Sequence, residues 1–260
     1  MTSWDDLRDR ILSGMWMAGL GIAGIWLGGI WFQMLTVFVT AVMIWELWMM
    51  IQPDQPTPGM LLSALTASIL SGLIASPDPF YLLILLIAPA IGAAALKKER
   101  LTFVGFALGI TIAGWGLVTF RENYGVVWLL WMVLVVIVTD IAGYFAGKMF
   151  GGPKFWPAIS PKKTWSGTVA GWVGAALVGF AFLSFTNAGS DLPWISVALS
   201  FASQMGDIAE SALKRRQGVK DSSTLIPGHG GLFDRFDGLL GAALVMLLVA
   251  LVVDVPQVSF

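Results

Sequence analysis

The sequence predicts an all-α polytopic membrane protein with about nine transmembrane helices, its N-terminus cytoplasmic and its C-terminus outside. Three observations point there. The chain is 57% hydrophobic and only 12% charged, whereas a soluble domain carries about a quarter charged residues. Apolar runs long enough to cross about 30 Å of hydrocarbon recur along most of its length. Threaded through a bilayer from a cytoplasmic start, these runs leave every lysine and arginine except Arg121 on the inner side, as the positive-inside rule requires. The 13 tryptophans suit a chain with many bilayer interfaces to anchor.

The elements follow in order. MTSWDDLRDR lacks the basic start and the small-residue cleavage site of a secretory signal, so it reads as a retained cytoplasmic tail. Residues 11–51 are too long an apolar run for one span, and Gly28-Gly29 offers a turn, giving spans near 12–28 and 30–51. Pro53, Pro56 and Pro58 make the next loop. Spans follow near 59–76, 79–96, 101–120 and 124–148, punctuated by Pro77 and Pro79, the cluster at 97–100 and the stretch 121–125. Further spans fit 166–186, 192–213 and 237–254. There is no internal repeat and no hydrophilic stretch long enough to fold alone, so residues 1–260 read as one integral membrane domain. The longest polar stretches, 149–165 and 214–236, share the cytoplasmic face, and the windows 140–164 and 203–237 hold roughly half of the charged residues. Function is expected there.

Absences narrow the chemistry. The chain has no cysteine and a single histidine, His229, so thiolate chemistry and multi-histidine metal sites are excluded. It has no GxxxxGK[ST] loop and no GxSxG elbow.

Four constellations remain. Asp140, Tyr144 and Lys148 recur at i, i+4 and i+8 on one face of an apolar helix. A carboxylate inside a span is a functional hypothesis by default, although the nearby Gly143-x-x-x-Gly147 would equally serve helix packing. In ISPKKTWSG, Lys162 and Lys163 are compact cations, and Ser160, Thr164 and Ser166 can bond phosphate oxygens or cap the following helix. In QMGDIAESALKRR, Asp207, Glu210, Ser211 and Lys214 share one helix face, which salt bridging at a helix end would also explain. In KDSSTLIPGHGGLFDRFDGLLG, Pro227 and three glycines force an irregular loop, and Asp234 and Asp237 follow at i and i+3. Carboxylates at Asp207, Asp234 and Asp237 on one membrane face repel unless a cation lies between them. Mg²⁺ suits them, because it takes oxygen ligands and is usually held by one or two carboxylates plus substrate phosphates. Together the four segments favour a site for phosphate and metal.

The run from Ser211 to Asp237 resembles the signature of phosphatidate cytidylyltransferases, also called CDP-diacylglycerol synthases. Ser211, Lys214-Arg215, Lys220-Asp221, Pro227, His229-Gly230-Gly231, Asp234-Arg235 and Asp237 agree in register. Ser160 to Thr164 and Asp140 with Tyr144 resemble upstream segments of the same family, so the likeness covers about residues 137–241, while 1–136 resembles it only as a string of spans. Where the family commonly has Glu-Gly after the lysines, this chain has Ser166-Gly167, and Ile141-Ala142-Gly143 is not its commonest continuation after the aspartate.

The resemblance implies transfer of the cytidylyl group of CTP to phosphatidate, giving CDP-diacylglycerol and pyrophosphate. It implies Mg²⁺ at Asp207, Asp234 and Asp237, with room for a second, monovalent cation. It implies catalytic roles for Lys214, Arg215, Lys220, Asp221, His229 and Arg235, and substrate phosphate-binding roles for Ser160, Lys162, Lys163, Thr164, Asp140 and Tyr144. It implies a homodimer in the bacterial cytoplasmic (inner) membrane with the active site facing the cytoplasm; no nucleic acid is expected as a partner. Three rivals stand beside it. A CTP-dependent lipid kinase would move the γ-phosphate, and a transporter would tend to show repeated halves and polar breaks near the midplane. A catalytically dead scaffold would have no need of Asp207, Asp221, Asp234 and Asp237 together.

Overall fold

The computed structural model describes residues 3–76, 79–256 and 258, and these are mostly helical. The expected break at Pro77 lies outside the described residues. The chain divides into two compact units, one made of the residues up to Thr119 with Arg216–Phe236, the other of Phe120–Arg215 with the residues from Asp237 onward.

The first unit holds α1 (Ser3–Leu27), α2 (Gly29–Ile51), α3 (Pro56–Ala75), a 3-10 segment (Pro79–Leu86), α4 (Ile87–Ala95) and most of α5 (Arg100–Tyr124). The turn expected at Gly28-Gly29 is present, with positive φ at both residues. Pro56 and Pro58, expected in a loop, instead open α3, because the first helical turn needs no N–H from proline. The span expected at 79–96 is not one helix but a 3-10 segment followed by α4. Pro89 explains the change: it offers no N–H to the carbonyl of Leu85 and so is tolerated only in a first turn. The core centres on α2, where Leu47 and Trp48 are wholly buried. Trp48 donates Nε1–H to the Gln55 carbonyl at 2.7 Å and packs edge-on against Phe103 with centroids 6.0 Å apart.

The second unit holds α6 (Val126–Phe150), two strands β1 (Lys154–Trp156) and β2 (Ser160–Thr164), α7 (Trp165–Leu183), α8 (Leu192–Arg216, up to Arg215) and α9 (Phe233–Ala250, from Asp237). The strands pair antiparallel, Lys154 opposite Thr164 and Trp156 opposite Ser160, with an irregularity between. An all-α reading missed this hairpin because proline and charge make the stretch resemble loop, although Phe155 and Trp165 stack edge-on at 4.7 Å to hold it. In the core, Trp131 donates Nε1–H to Ser196 Oγ at 3.0 Å, and Thr139 Oγ1 bonds Ser200 Oγ at 2.8 Å. Such polar pairs satisfy groups that an apolar surrounding would leave exposed to a desolvation penalty.

Among the described residues five helices, α2, α3, α5, α6 and α7, are long and apolar enough to cross a membrane. That makes the chain an integral membrane protein by length and composition. The apolar parts of α1, Ile11–Leu27, and of the segment Tyr81–Ala95 are shorter. The expected spans at 192–213 and 237–254 form as α8 and α9, which carry Asp207, Glu210 and Lys214, and Asp234 and Asp237, and fall outside those five.

Candidate active site

In the second unit, α6 and α7 approach at Gly143 and Gly167, where a Cβ on Gly167 would meet the Gly143 carbonyl oxygen at 2.5 Å. Two glycines therefore let the backbones pack directly, as small residues do between membrane helices. Beside this contact lies a cavity of about 410 Å³, bordered by Asp140, Tyr144 and Lys148 of α6, Lys162, Lys163 and Thr164 of β2, and Gln204 and Asp207 of α8. The i, i+4, i+8 face read from sequence is thus the face α6 turns to the cavity.

Several of the polar side chains there are oriented by neighbours. Thr164 caps α7, its Oγ1 accepting from Gly167 N at 3.2 Å. Ser166 donates to the Gly151 carbonyl at 2.5 Å and shares a 3.0 Å bond with Thr164, so it ties the hairpin together. Gln204 donates Nε2–H to the Thr168 carbonyl at 3.2 Å and accepts Trp172 Nε1–H at 3.0 Å, which fixes its amide. Lys163 Nζ lies 2.5 Å from Asp207 Oδ2, both side chains partly exposed. Asp207 Oδ1 accepts Ser211 Oγ–H at 3.2 Å. Lys148 Nζ sits 5.8 Å from the centre of the Tyr144 ring. Lys162 is exposed.

Backbone-to-backbone packing recurs between α8 and α9 of the same unit. A Cβ on Gly206 would overlap the Asp237 carbonyl oxygen, and one on Gly241 would overlap that of Ala202. The carboxylate of Asp207 is within electrostatic reach of both Asp140 and Asp237. Asp237 Oδ1 accepts from Gly238 N at 2.7 Å. Lys214 Nζ lies 2.5 Å from Oε2 of the buried Glu210 one turn away. Along this face Ser211 bonds Asp207 and Lys214 pairs with Glu210, while the ion pair of Asp207 is with Lys163 of β2.

In the first unit, the stretch 217–232 folds into a tight loop leading to α9. Ile226 and Gly230 form an isolated bridge, the Ile226 N–H donating to the Gly230 carbonyl at 2.8 Å, with Gly230 at φ 82°. Arg235 donates from Nε and Nη2 to the His229 carbonyl at 3.0 and 2.8 Å. His229 Nδ1 and Ser13 Oγ of α1 are 2.7 Å apart, and Ser13 also donates to the Pro227 carbonyl at 3.1 Å. The single histidine is thus a loop-to-helix tether. Asp234 Oδ2 accepts three donors at 2.8 Å: Ser222 N, Ser222 Oγ and Gly231 N. Glu46 of α2, wholly buried, accepts from the two ends of the same loop. Lys220 and Asp221 are exposed, as is Arg215 of the second unit.

Of the residues singled out from sequence, Asp140, Tyr144, Lys162, Lys163, Thr164 and Asp207 border one cavity. Ser160 lies outside its border, opposite Trp156 in the hairpin. Lys220, Asp221 and His229 belong to the first unit's loop, and Asp234 and Arg235 to the first turn of α9 in the same unit. Sequence reasoning gave no role to Glu46, Ser222, Ser223 or Gln204, although Glu46 carries the signal of a carboxylate inside an apolar run.

No three acidic or histidine side chains among the described residues form a group that would hold a metal ion by themselves. The donors still suit Mg²⁺: all are carboxylate oxygens, and Asp207 already holds an ammonium cation on Oδ2. An ion held by one or two of them would complete its shell with phosphate oxygens or water.

A family model described as the Cytidylyltransferase family matches residues 8–253. A phosphatidate cytidylyltransferase of Brucella suis biovar 1 (strain 1330) is 41% identical over 160 residues, which is 60% of this chain and 59% of that protein. One of Staphylococcus aureus (strain COL) is 38% identical over 154 residues, 56% of this chain and 59% of its own length. The chain therefore spans somewhat under two thirds of the curated relatives it matches. With a match running through nearly all its helices and over the cavity and loop just described, the chain belongs to the cytidylyltransferase family.

Proposed function

We propose that the protein transfers the cytidylyl group of CTP to phosphatidate, forming CDP-diacylglycerol and pyrophosphate for phospholipid synthesis. The observation that carries this reading is the cavity in which Lys162, Lys163 and Thr164 meet Asp140 and Asp207. Two lysines and a capping hydroxyl receive phosphate oxygens, and carboxylates receive the cation that accompanies them. The names of the bacterial relatives supply the substrates.

In the reaction a phosphate oxygen of the lipid attacks the α-phosphorus of CTP. A new P–O bond forms as the bond to the β-phosphate breaks, and pyrophosphate leaves with the electron pair. No covalent protein nucleophile is required; positioning and charge neutralisation dominate, as in other phosphoryl transfers. Lys163 exchanges its Asp207 partner for a phosphate oxygen, and Lys162, exposed at the cavity, draws the polyanion in. Lys214, Arg215, Lys220 and Arg235 supply further positive charge for the lipid phosphate and the departing pyrophosphate. Thr164 keeps its hydroxyl beside the start of α7. Asp207, Asp234 and Asp237 are the residues proposed to hold Mg²⁺. When bound, the ion neutralises the triphosphate and polarises the α-phosphoryl group.

The same reading takes nine spans, a cytoplasmic N-terminus, an outer C-terminus and a site facing the cytoplasm of a bacterial inner membrane. Phosphatidate keeps its acyl chains in the bilayer while CTP arrives from the cytosol, so a cytoplasmic interface serves both. A homodimer and a monovalent cation beside Mg²⁺ belong to the same proposal. The test is product identification. Protein reconstituted in phosphatidate-containing vesicles with Mg²⁺ and CTP should form CDP-diacylglycerol and pyrophosphate in equal amounts by mass spectrometry and phosphate assay. Phosphorylated lipid and CDP in their place would mean a lipid kinase.

A further inference from the structure

Glu46 sits within the apolar stretch of α2 with no exposed surface, and no step of the reaction uses it. Its Oε1 accepts Ser223 Oγ–H at 2.6 Å and Leu232 N–H at 2.9 Å. Its Oε2 accepts Phe233 N–H at 2.7 Å, and the Ser222 hydroxyl, whose hydrogen serves Asp234 at 2.8 Å, lies 3.4 Å from it. One donor comes from the start of the loop and two from its end, where α9 begins. A carboxylate suits the latter two, because the first N–H groups of a helix lack acceptors and carry the positive end of its dipole.

Two features show that the contact is built rather than incidental. A Cβ on Gly231 would overlap both Glu46 Oε1 and Ser222 Oγ, so the loop reaches the carboxylate only because a glycine stands there. The Ser222 hydroxyl reaches towards Glu46 on one side and Asp234 Oδ2 on the other, which joins the carboxylate of α2 to the aspartate of the signature. A leucine at position 46 would suit an apolar helix better. A buried carboxylate is retained where its donors need it.

We infer that Glu46 is a positioning residue that clamps both ends of the 222–233 loop to α2 and so fixes Asp234 and Arg235 for the reaction. The kinetic half of the inference rests on the cytidylyl-transfer reading; the clamp itself does not.

The test uses the full chain in lipid with Glu46→Gln, Glu46→Ala and Ser223→Ala. Three quantities are read: kcat and KM with CTP and phosphatidate, thermal midpoint, and hydrogen–deuterium exchange of peptides covering 222–234. Misplacing a reacting group by about 1 Å costs about 100-fold in rate, so Glu46→Ala should lose about 100-fold in kcat. Its KM for CTP should move by less than about 3-fold, since the clamp acts on positioning rather than ground-state binding. Glu46→Gln keeps one acceptor oxygen but turns an NH₂ towards an N–H donor, and should fall about 10-fold. Ser223→Ala, losing one donor, should fall less. Exchange should quicken within 222–234 and stay unchanged in peptides of α6. Wild-type kcat and exchange in Glu46→Ala would overturn the clamp, as would quickened exchange throughout the chain with kcat untouched. If Glu46→Ala does not fold, Glu46→Gln decides by the same two readings. If the wild type forms no CDP-lipid, the proposed reaction fails while loop exchange still decides the clamp.

Discussion

Glu46 and Asp234, in the first unit, are met by backbone N–H groups and serine hydroxyls, each carboxylate gathering at least three donors. Asp140 and Asp207, in the second, border an open cavity, and the partner of Asp207 Oδ2 is a lysine ammonium. Backbone donors cannot leave, so the first pair is anchored in the frame, with Asp234 fixed in place for the Mg²⁺ it is proposed to help hold. A partly exposed lysine can exchange its carboxylate for a phosphate, so the second pair suits the proposed place where ligands come and go. The lesson is that carboxylates within one membrane protein need not share a role. The identity of the donors, peptide or side chain, separates the two kinds.

The largest expected effect removes what both kinds need. Stripping divalent metal with a chelator should abolish transfer in wild type, and added Mg²⁺ should restore it; full turnover in chelator would break the proposed use of all three aspartates. Next come Asp207→Asn and Asp234→Asn, each expected to lose at least about 100-fold in kcat by analogy with loss of one electrostatic stabiliser. Their stabilities should differ. Asp234→Asn puts an amide among three donors, and each buried donor left unsatisfied costs about 1–3 kcal/mol, so its thermal midpoint should fall well below that of Asp207→Asn. Equal midpoints would erase the distinction between frame and cavity.

A smaller effect is expected of Gly167→Ala, whose Cβ would press on the Gly143 carbonyl. Overpacking of this kind costs about 1–3 kcal/mol, visible as a lower thermal midpoint, and the displaced α7 should raise KM for CTP by several-fold. Smallest is Lys162→Ala, which removes an exposed charge at the cavity. It should raise KM by only a few-fold, with the deficit shrinking as salt screens the field over about 10 Å.

Much of the fold was legible because apolar run length is a local property. The runs read at 30–51, 101–120, 124–148 and 166–186 became α2, α5, α6 and α7 within a few residues. Pro89 broke the run at 79–96, and proline-flanked polar sequence hid the hairpin, because a start of helix and a strand are settled by hydrogen bonds that hydropathy does not record. The same divide runs through the candidate site. Asp140, Tyr144 and Lys148 were legible from helical spacing, and Lys162, Lys163 and Asp207 join them at one cavity. The partners of Glu46 were not, since Ser222 and Phe233 lie 176 and 187 residues further along the chain, and no local pattern announces such a pairing.

The most direct measurement labels CTP at the α- or the γ-phosphate in separate arms and counts label entering lipid, in wild type and in Lys163→Met. Label from the α-position alone, strongly reduced in Lys163→Met, is the expected result and ties cytidylyl transfer to the cavity. Label from the γ-position alone, or α-label undiminished in the variant, would contradict it: the first would replace the reaction, and the second would move the phosphates away from Lys163.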